Sequence, residues 1–156
     1  MDSAYEIKIY TDNTEFEKTC MNNISLFNYR YLEFKKNSGL DLNSKYSFMY
    51  FTLWKNSTLI SILKQCVFRG YKWEDFILNP SRTILYITTN NEYKNQGYSK
   101  YIIEEYFKFL INNNINDEIH LSPYSKDGWK YVKKNLHNLA NKYNLILIDK
   151  NYCYEF

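Results

Sequence analysis

The chain has 156 residues, of which 45% are apolar and 24% are charged, and its 20 basic and 17 acidic side chains leave a net charge of +3. The apolar content excludes a disordered chain, and the small net charge excludes the basicity of a dedicated nucleic-acid binder. A charge of this size suits a polyanionic small molecule bound at one local site.

The three cysteines, Cys20, Cys66 and Cys153, have no paired or metal-like spacing. Free thiols in a reducing compartment are therefore expected. The first residues, 1–6, lack a basic segment followed by an apolar run, so no signal peptide is expected. No apolar stretch approaches the roughly 20 residues that span a bilayer. These features predict a soluble cytoplasmic protein with one domain over residues 1–156.

The first half of the chain contains three predicted strands and a helical segment. Residues 5–10 alternate with period two, which predicts a strand, and capping residues before Glu15 predict a helical segment from there to about Phe34, with a break near Asn22 and Asn23. Residues 39–45 are expected to form a loop. Residues 46–54 and 59–68 are rich in strand formers and predict a hairpin. The stretch 69–81 contains Gly70 and Pro80 and predicts a long irregular connection.

The second half alternates strands and helices. A buried strand is predicted over residues 82–89, and a polar turn centred on Gly97 leads into a helix with one apolar face and an expected Glu104–Lys108 pair on the other. The apolar face is predicted to comprise Ile102, Ile103, Tyr106, Phe107 and Leu110. A strand at 118–122, a helix from Gly128, and strands at 145–149 and 152–156 complete the chain.

The turn before the second-half helix has the chemistry of an anion site. A strand, a glycine-centred polar turn and a helix together direct several backbone N–H groups at one point, and the positive end of the helix dipole adds to them. The turn reads Lys94-Asn95-Gln96-Gly97-Tyr98-Ser99. This arrangement favours a phosphate.

The six-residue stretch resembles the acyl-CoA pyrophosphate loop of the GNAT N-acetyltransferase superfamily, whose pattern is Arg/Gln-x-x-Gly-x-Gly/Ala. Lys94 stands in place of Arg/Gln and Ser99 in place of Gly/Ala, while Gly97 matches. The order of the predicted elements, β-α-α-β-β-β-α-β-α-β-β, also resembles that superfamily. The resemblance implies an α/β (α+β) fold with a mixed, mostly antiparallel sheet flanked by helices.

The resemblance further implies acetyl-CoA as co-substrate, with no metal. Pantetheine would hydrogen-bond to the end of the strand at 82–89, and the turn would hold the pyrophosphate. The implied cofactor-binding residues are Ile87, Thr88, Thr89, Lys94, Asn95, Gln96, Gly97, Tyr98, Ser99 and Lys100.

Two tyrosines are candidate general acids for the departing thiolate. In the GNAT superfamily a Tyr early in the helix after the fifth strand often has that role, and Tyr131 stands there, off the apolar stripe of its helix. An exposed tyrosine in a tyrosine-rich chain is the alternative. Tyr124 is the second candidate, as acid or pantetheine contact, and it occupies the place where relatives often have Asn.

The sequence identifies no general base. The strand at 82–89 contains no acid, and Glu92 is expected to face solvent. Trp73, Glu74 and Asp75 are candidate acceptor-binding residues, although a solvated loop explains the two acids more simply. His120 and His137 are isolated, and no spacing predicts a metal site.

Three functions remain open at this stage. The first is acetyl transfer to a primary amine by direct attack, the acceptor being a small-molecule amine or a peptide N-terminus or lysine. The second is a GNAT-like protein that binds acyl-CoA with little catalysis. The third, an aromatic-rich nucleic-acid-binding module, is disfavoured because the aromatics fall on predicted buried faces. No nucleic acid or membrane partner is expected, and the chain is expected to be a monomer or homodimer.

Overall fold

The computed structural model describes residues 5–24, 27, 46–68, 71–78, 80–121 and 126–149. Its strands are β1 (Tyr5–Tyr10), β2 (Tyr46–Lys55), β3 (Thr58–Phe68), β4 (Tyr71–Trp73), β5 (Phe76–Leu78), β6 (Ser81–Thr89), β7 (Ile119–Leu121) and β8 (Leu147–Ile148). Its helices are α1 (Asn13–Ile24), α2 (Tyr98–Asn112) and α3 (Lys126–Lys142), with a 3₁₀ turn at Asn91–Tyr93.

Within the described residues, six strands form one mixed sheet in the order β1-β2-β3-β6-β7-β8. The pairs from β1 to β6 are antiparallel, and β7 and β8 continue the sheet in parallel. The predicted fold class, a mixed and mostly antiparallel sheet flanked by helices, is confirmed. Among the described residues, no helix is long and apolar enough to cross a membrane.

Helices cover both faces of this sheet, and each face has its own apolar core. We call them the α2 face, which α2 and α3 cover, and the α1 face. The core of the α2 face contains Phe51, Leu53, Ile60, Leu63, Ile84, Ile102, Ile103, Tyr106, Phe107, Leu110, Ile119, Leu136, Leu139 and Ala140. The core of the α1 face contains Tyr10, Phe16, Cys20, Phe27, Tyr50, Trp54, Leu59 and Ile62. All five residues of the predicted apolar stripe of α2 are buried.

The β2–β3 hairpin agrees with its prediction, and its turn shows why. Asn56 and Ser57 both have left-handed backbone conformations, with φ of 48° and 69°. A two-residue loop with two such residues matches the right-handed twist of the flanking strands.

The predicted irregular connection at 69–81 is wrong, because residues 71–78 form a second hairpin. Trp73 pairs with Phe76, and Glu74 takes the left-handed conformation at the turn with φ of 53°. A Glu-Asp turn lacks the glycine or asparagine that usually identifies a hairpin in a sequence. The alternating strand signal was therefore hidden by an unusual turn residue.

Of the predicted helical segment at 15–34, the structure describes only residues 15–24 and 27. Helix α1 ends at Ile24, close to the predicted break, and Phe27 instead forms an isolated antiparallel bridge with Asn90. Residues 28–45 lie outside the described residues, as do Cys153 and the predicted last strand at 152–156.

The predicted Glu104–Lys108 pair is also wrong. The Glu104 carboxylate accepts hydrogen bonds from Lys142 Nζ at 2.8 Å and Tyr143 Oη at 2.5 Å. Lys108 pairs with Glu105 instead, at 3.6 Å. Glu104 therefore ties the middle of α2 to the end of α3.

A buried polar network fastens α2 to the sheet. Gln65 Oε1 accepts a hydrogen bond from Tyr106 Oη at 2.5 Å and a longer one, 3.5 Å, from Arg82 Nη1. Arg82 pairs in turn with Asp117 at 3.1 Å, just before β7. Burial raises the pKa of the Tyr106 phenol, so it stays a proton donor at all ordinary pH values. The network joins β3, β6 and α2 at one buried point.

We expect Tyr106→Phe to lower the free energy of unfolding by about 1–3 kcal/mol, because it removes the shorter of the two hydrogen bonds to a buried amide oxygen. Tyr143→Phe is the matched control, and it should lower the free energy of unfolding less than Tyr106→Phe does, since the half-buried Glu104 keeps Lys142 and water. Urea unfolding measures both. Equal losses in the two variants would contradict a stabilising role for the buried network.

Candidate acyl-CoA site

The turn between β6 and α2 contains two left-handed residues. Asn95 has φ of 62° and Gly97 has φ of 84°. A Cβ built on Gly97 would meet nothing within 4 Å. Glycine is therefore favoured there by its backbone conformation and not by crowding from the protein. Lys94, Asn95, Gln96 and Gly97 are all exposed.

The N-terminus of α2 is open to solvent. Tyr101 N–H donates to Gly97 O at 3.1 Å, so the preceding N–H groups of Tyr98, Ser99 and Lys100 have no acceptor within the helix. Within the described part of the chain, no side chain caps this end, and the first turn of α2 contains no acidic residue. Several donors and a positive helix end therefore face the same direction, with the exposed Lys100 beside them.

Aromatic contacts hold this helix end in place. Tyr98 Oη lies 2.8 Å from Tyr5 Oη on the first residue of β1. The Tyr98 ring also meets the Tyr93 ring edge-on, with 5.8 Å between centroids. The start of α2 is thus fixed to the sheet on one side and to the 3₁₀ turn on the other.

A bulge in β6 decides which way its last backbone groups point. Lys64 pairs with Tyr86 and Gln65 with Ile84, so Leu85 is an extra residue in the β3–β6 ladder. Asn90 N–H donates to Ile60 O on β3 at 2.7 Å. Because backbone groups alternate sides along a strand, Thr88 also faces β3, whereas Ile87 and Thr89 face the side of β7.

Pairing between β6 and β7 covers only the start of β6. Among the described residues, the parallel ladder ends at Ile84 and Leu121. The backbone of Ile87 and Thr89 thus points past the described end of β7. The sequence predicted that the backbone groups of Ile87, Thr88 and Thr89 would all be available to pantetheine. Thr88 differs, because its carbonyl accepts from Ser61 Oγ at 3.0 Å on the β3 side.

Asn90 connects the end of β6 to the turn, and sequence reasoning missed it. Its Nδ2 donates to Leu59 O at 3.0 Å, and its Oδ1 accepts from Glu92 N–H at 3.0 Å. The side chain is fully buried, and its own backbone bridges Phe27. An Asn directly after a strand and before a polar turn is a capping signal that could have identified it.

The remaining predicted site residues lie on other elements than this turn or outside the described residues. Glu74 and Asp75 are exposed at the tip of the β4–β5 hairpin, whereas nothing is described of the Trp73 side chain. Tyr131 lies in the first half of α3, but its side chain is not described, and Tyr124 falls outside the described residues. Their assigned roles stay predictions.

Neither described thiol is suited to nucleophilic chemistry. Cys20 and Cys66 are free, and burial raises the pKa of Cys20 to about 12 and raises that of Cys66 as well. A protonated thiol is a poor nucleophile. His120 lies in β7 beside Glu118, at 3.4 Å, and the described residues contain no cluster that could hold a metal ion.

Sequence reasoning also missed Lys64, in the middle of the apolar strand β3. Its side chain is 0% exposed, and its Nζ lies 4.8 Å from the Phe48 ring centroid and 5.0 Å from that of Tyr50. Burial lowers the pKa of Lys64 to about 8. A lysine and a glutamine among the apolar residues of the strand predicted at 59–68 were the available signal.

Comparison with known proteins identifies the fold. The sequence matches no family model and no curated protein. Among solved structures, an aminoglycoside acetyltransferase from an uncultured soil metagenomic sample, in complex with sisomicin, is similar with a TM-score of 0.55 at 12% identity, covering 99% of this chain and 97% of that one.

Two further structures are similar over most of their length. A GNAT family acetyltransferase from Staphylococcus aureus has a TM-score of 0.51 at 17% identity, covering 80% of this chain and 90% of that one. An aminoglycoside N-acetyltransferase in complex with CoA has a TM-score of 0.52 at 10% identity, covering 100% and 98%. The chain therefore has the GNAT fold, as its sequence predicted.

We expect Asn90→Ala to destabilise the protein by about 1–3 kcal/mol, because it leaves the Leu59 carbonyl and the Glu92 amide without their side-chain partner. Hydrogen exchange at the Glu92 amide should accelerate. Asn90→Asp is the matched variant: it keeps an acceptor for Glu92 but loses the donor to Leu59, so it should destabilise while Glu92 stays protected. Unchanged Glu92 exchange in Asn90→Ala would refute the capping role.

Proposed function

We propose that this chain is an N-acetyltransferase that transfers acetyl from acetyl-CoA to a primary amine by direct attack in a ternary complex. The observation that carries the proposal is the open, uncapped N-terminus of α2, preceded by the left-handed Gly97, at the end of β6 in a GNAT fold. The similar structures with sisomicin and with CoA support a small-molecule amine and a CoA thioester as the two substrates.

The residues of the turn fit the pyrophosphate of acetyl-CoA. The amides of residues 95–100 supply neutral donors, and Lys94 and Lys100 add positive charge beside them. The backbone groups of Ile87 and Thr89 are available to the two amides of pantetheine. The backbone of Thr88 faces β3 in this arrangement. Thr88 therefore contributes by its position between Ile87 and Thr89 and not by a backbone hydrogen bond to pantetheine.

Direct attack is the mechanism that suits the described side chains. A double-displacement route needs a nucleophile, and both described thiols are held protonated by burial. An amine with a pKa near ~10.4 is free in about one molecule in a few thousand at neutral pH, so the enzyme must select or generate the free base. Glu74 or Asp75 could relay that proton through water.

The departing thiolate needs a proton, and we assign the donation of this proton to Tyr131 in α3. A phenol with a pKa near ~10 can protonate a thiolate of similar basicity. Tyr124 is the second candidate. We further propose that the chain is a single domain, a monomer or homodimer, that binds no nucleic acid or membrane.

A second candidate function is acyl-CoA binding with little catalysis. The observation in its favour is that β6 contains no carboxylate to serve as base. Release of free thiol from acetyl-CoA with a panel of amines decides between them. Calorimetric titration with acetyl-CoA and with a single-stranded oligonucleotide separates both functions from nucleic-acid binding.

Gly97→Glu should abolish the rise in melting temperature that acetyl-CoA causes. A ligand that binds only the folded state stabilises it by mass action, and this change puts a carboxylate where the pyrophosphate is proposed to lie. The free protein should remain folded, because a Cβ at Gly97 meets open space, although a positive φ costs a non-glycine residue about 1 kcal/mol.

Asn112→Glu is the control for Gly97→Glu, since it adds the same charge at the other end of α2. It should keep the full acetyl-CoA shift. A full shift in Gly97→Glu would sink the assignment of the pyrophosphate to this turn.

Tyr131→Phe should lower kcat by about 10²–10⁴-fold with little change in KM for acetyl-CoA, because general acid help of this size is lost without loss of binding. The decline of kcat at high pH should also disappear. Tyr124→Phe is the companion variant, and it should keep the wild-type kcat and the decline of kcat at high pH. If Tyr131→Phe retains kcat within about threefold, the acid is another group.

A further inference from the structure

Strand β1 is the outermost strand at one edge of the described sheet. It pairs with β2 on one side, and within the described part of the chain no strand pairs with its other side. Glu6, Lys8 and Ile9 are exposed along it, and Ile9 keeps 40% of its surface exposed although it is apolar. An exposed edge strand is a template for pairing with another chain.

The contact between β1 and β2 shows which backbone groups of β1 face outward. The N–H and C=O groups of successive residues in a strand point to opposite sides. Lys8 lies opposite Thr52 of β2, and Thr52 Oγ1 donates to Lys8 O at 2.7 Å, so the carbonyl of Lys8 points toward β2. Tyr5, Ile7 and Ile9 therefore present their N–H and C=O groups to the open side.

The β1 strand of a second copy can pair with these outward groups in antiparallel orientation. With Ile7 opposite Ile7 of the second copy, Tyr5 of each copy lies opposite Ile9 of the other, and all three residues exchange N–H···O=C bonds. An aromatic ring opposite a β-branched side chain stabilises such a pair. The arrangement has a two-fold axis at Ile7, so both copies use the same surface and the assembly closes after two chains.

The charges on β1 select this register. Glu6 and Lys8 flank Ile7, so each carboxylate lies opposite an ammonium of the second copy. Both are non-hydrogen-bonded pairs, in which side chains lie closer together. An axis at Glu6 or at Lys8 would keep the pairing of outward backbone groups but would place like charges opposite each other, which is destabilising. The strand is thus complementary to itself in one register.

We propose that the chain forms a two-fold symmetric homodimer in which the β1 strands of two copies pair antiparallel about Ile7. The proposed function is compatible with a monomer and with a homodimer, and this inference selects the dimer and its interface without using any substrate. The interface includes Tyr5, whose hydroxyl lies 2.8 Å from that of Tyr98 at the start of α2. It therefore adjoins the residue that fixes the helix end of the candidate acyl-CoA site.

Sedimentation equilibrium over a series of protein concentrations measures the association of the 19.0 kDa chain. Wild type should show an equilibrium between one and two chain masses. Glu6→Lys and Lys8→Glu should each be monomeric at concentrations where wild type is dimeric, because either change leaves only like charges opposite each other. Both side chains are exposed, so circular dichroism should show that the variants stay folded. Wild type that is monomeric at every concentration would overturn the inference.

Mixing the two variants tests the register itself. Glu6→Lys combined with Lys8→Glu should form a heterodimer, because opposite charges again face each other across the axis. The double variant Glu6→Lys/Lys8→Glu should regain the homodimer for the same reason. A wild-type dimer that neither single variant weakens, or no recovery in the mixture and the double variant, would show that another surface joins the copies and would refute the proposal.

Ile9→Lys should also weaken the dimer, because it places an ammonium where an apolar side chain faces Tyr5 of the second copy. Ile111→Lys is the matched control. Ile111 is as exposed as Ile9, at 40%, but it lies in the last turn of α2, so this variant should keep the wild-type association. Equal effects of the two variants would contradict an interface at β1.

Hydrogen exchange locates the contact within the strand. The amides of Ile7 and Ile9 should be protected in the dimer and should exchange faster after dilution to the monomer. The amides of Glu6 and Lys8 face β2 and should stay protected at both concentrations. If the amides of Ile7 and Ile9 keep the same protection after dilution, another part of the same chain covers β1 and the inference is wrong.

Discussion

The position of one extra residue in β6 governs the geometry of the whole candidate site. Leu85 is inserted opposite the Lys64–Gln65 step of β3, so the backbone groups that face β7 change from even-numbered to odd-numbered residues at that point. Before the bulge, Arg82 N–H bonds to Glu118 O on the β7 side. After it, Ile87 and Thr89 face that side. A strand can thus pair fully with β3 and still present backbone donors and acceptors beyond the described ladder with β7.

The two faces of β3 treat buried polar groups in opposite ways. On the α2 face, Gln65 accepts from Tyr106 and contacts Arg82, so the amide oxygen is satisfied and α2 is fixed to the sheet. On the α1 face, Lys64 is surrounded by rings that cannot replace oxygen acceptors. The first arrangement is explained by stability alone. The second costs stability, because aromatic faces offset only part of the desolvation of the ammonium.

The fold was largely predictable from the sequence because its signals are local. Strand alternation, the apolar stripe of α2 and the left-handed residues around Gly97 depend on neighbours a few residues apart. The β4–β5 hairpin was missed since Glu74 is an unusual turn residue. The sequence contained signals for Asn90 and Lys64, but their partners on other strands could not be derived, because those depend on which strands lie side by side. Glu104 likewise pairs with Lys142 across two helices and not with Lys108 along its own.

This difference between local and non-local signals matches the chemistry of the two substrates proposed above. A pyrophosphate can be bound by backbone amides, which every residue supplies, so the turn needs only a left-handed position and a helix start. The turn can then contain Lys94 and Ser99, where the GNAT pattern has Arg/Gln and Gly/Ala, without loss of its backbone donors. A cluster of side chains on several strands is different. Phe48, Lys64 and Tyr86 come from three strands, and their combination is visible only once the sheet order is known.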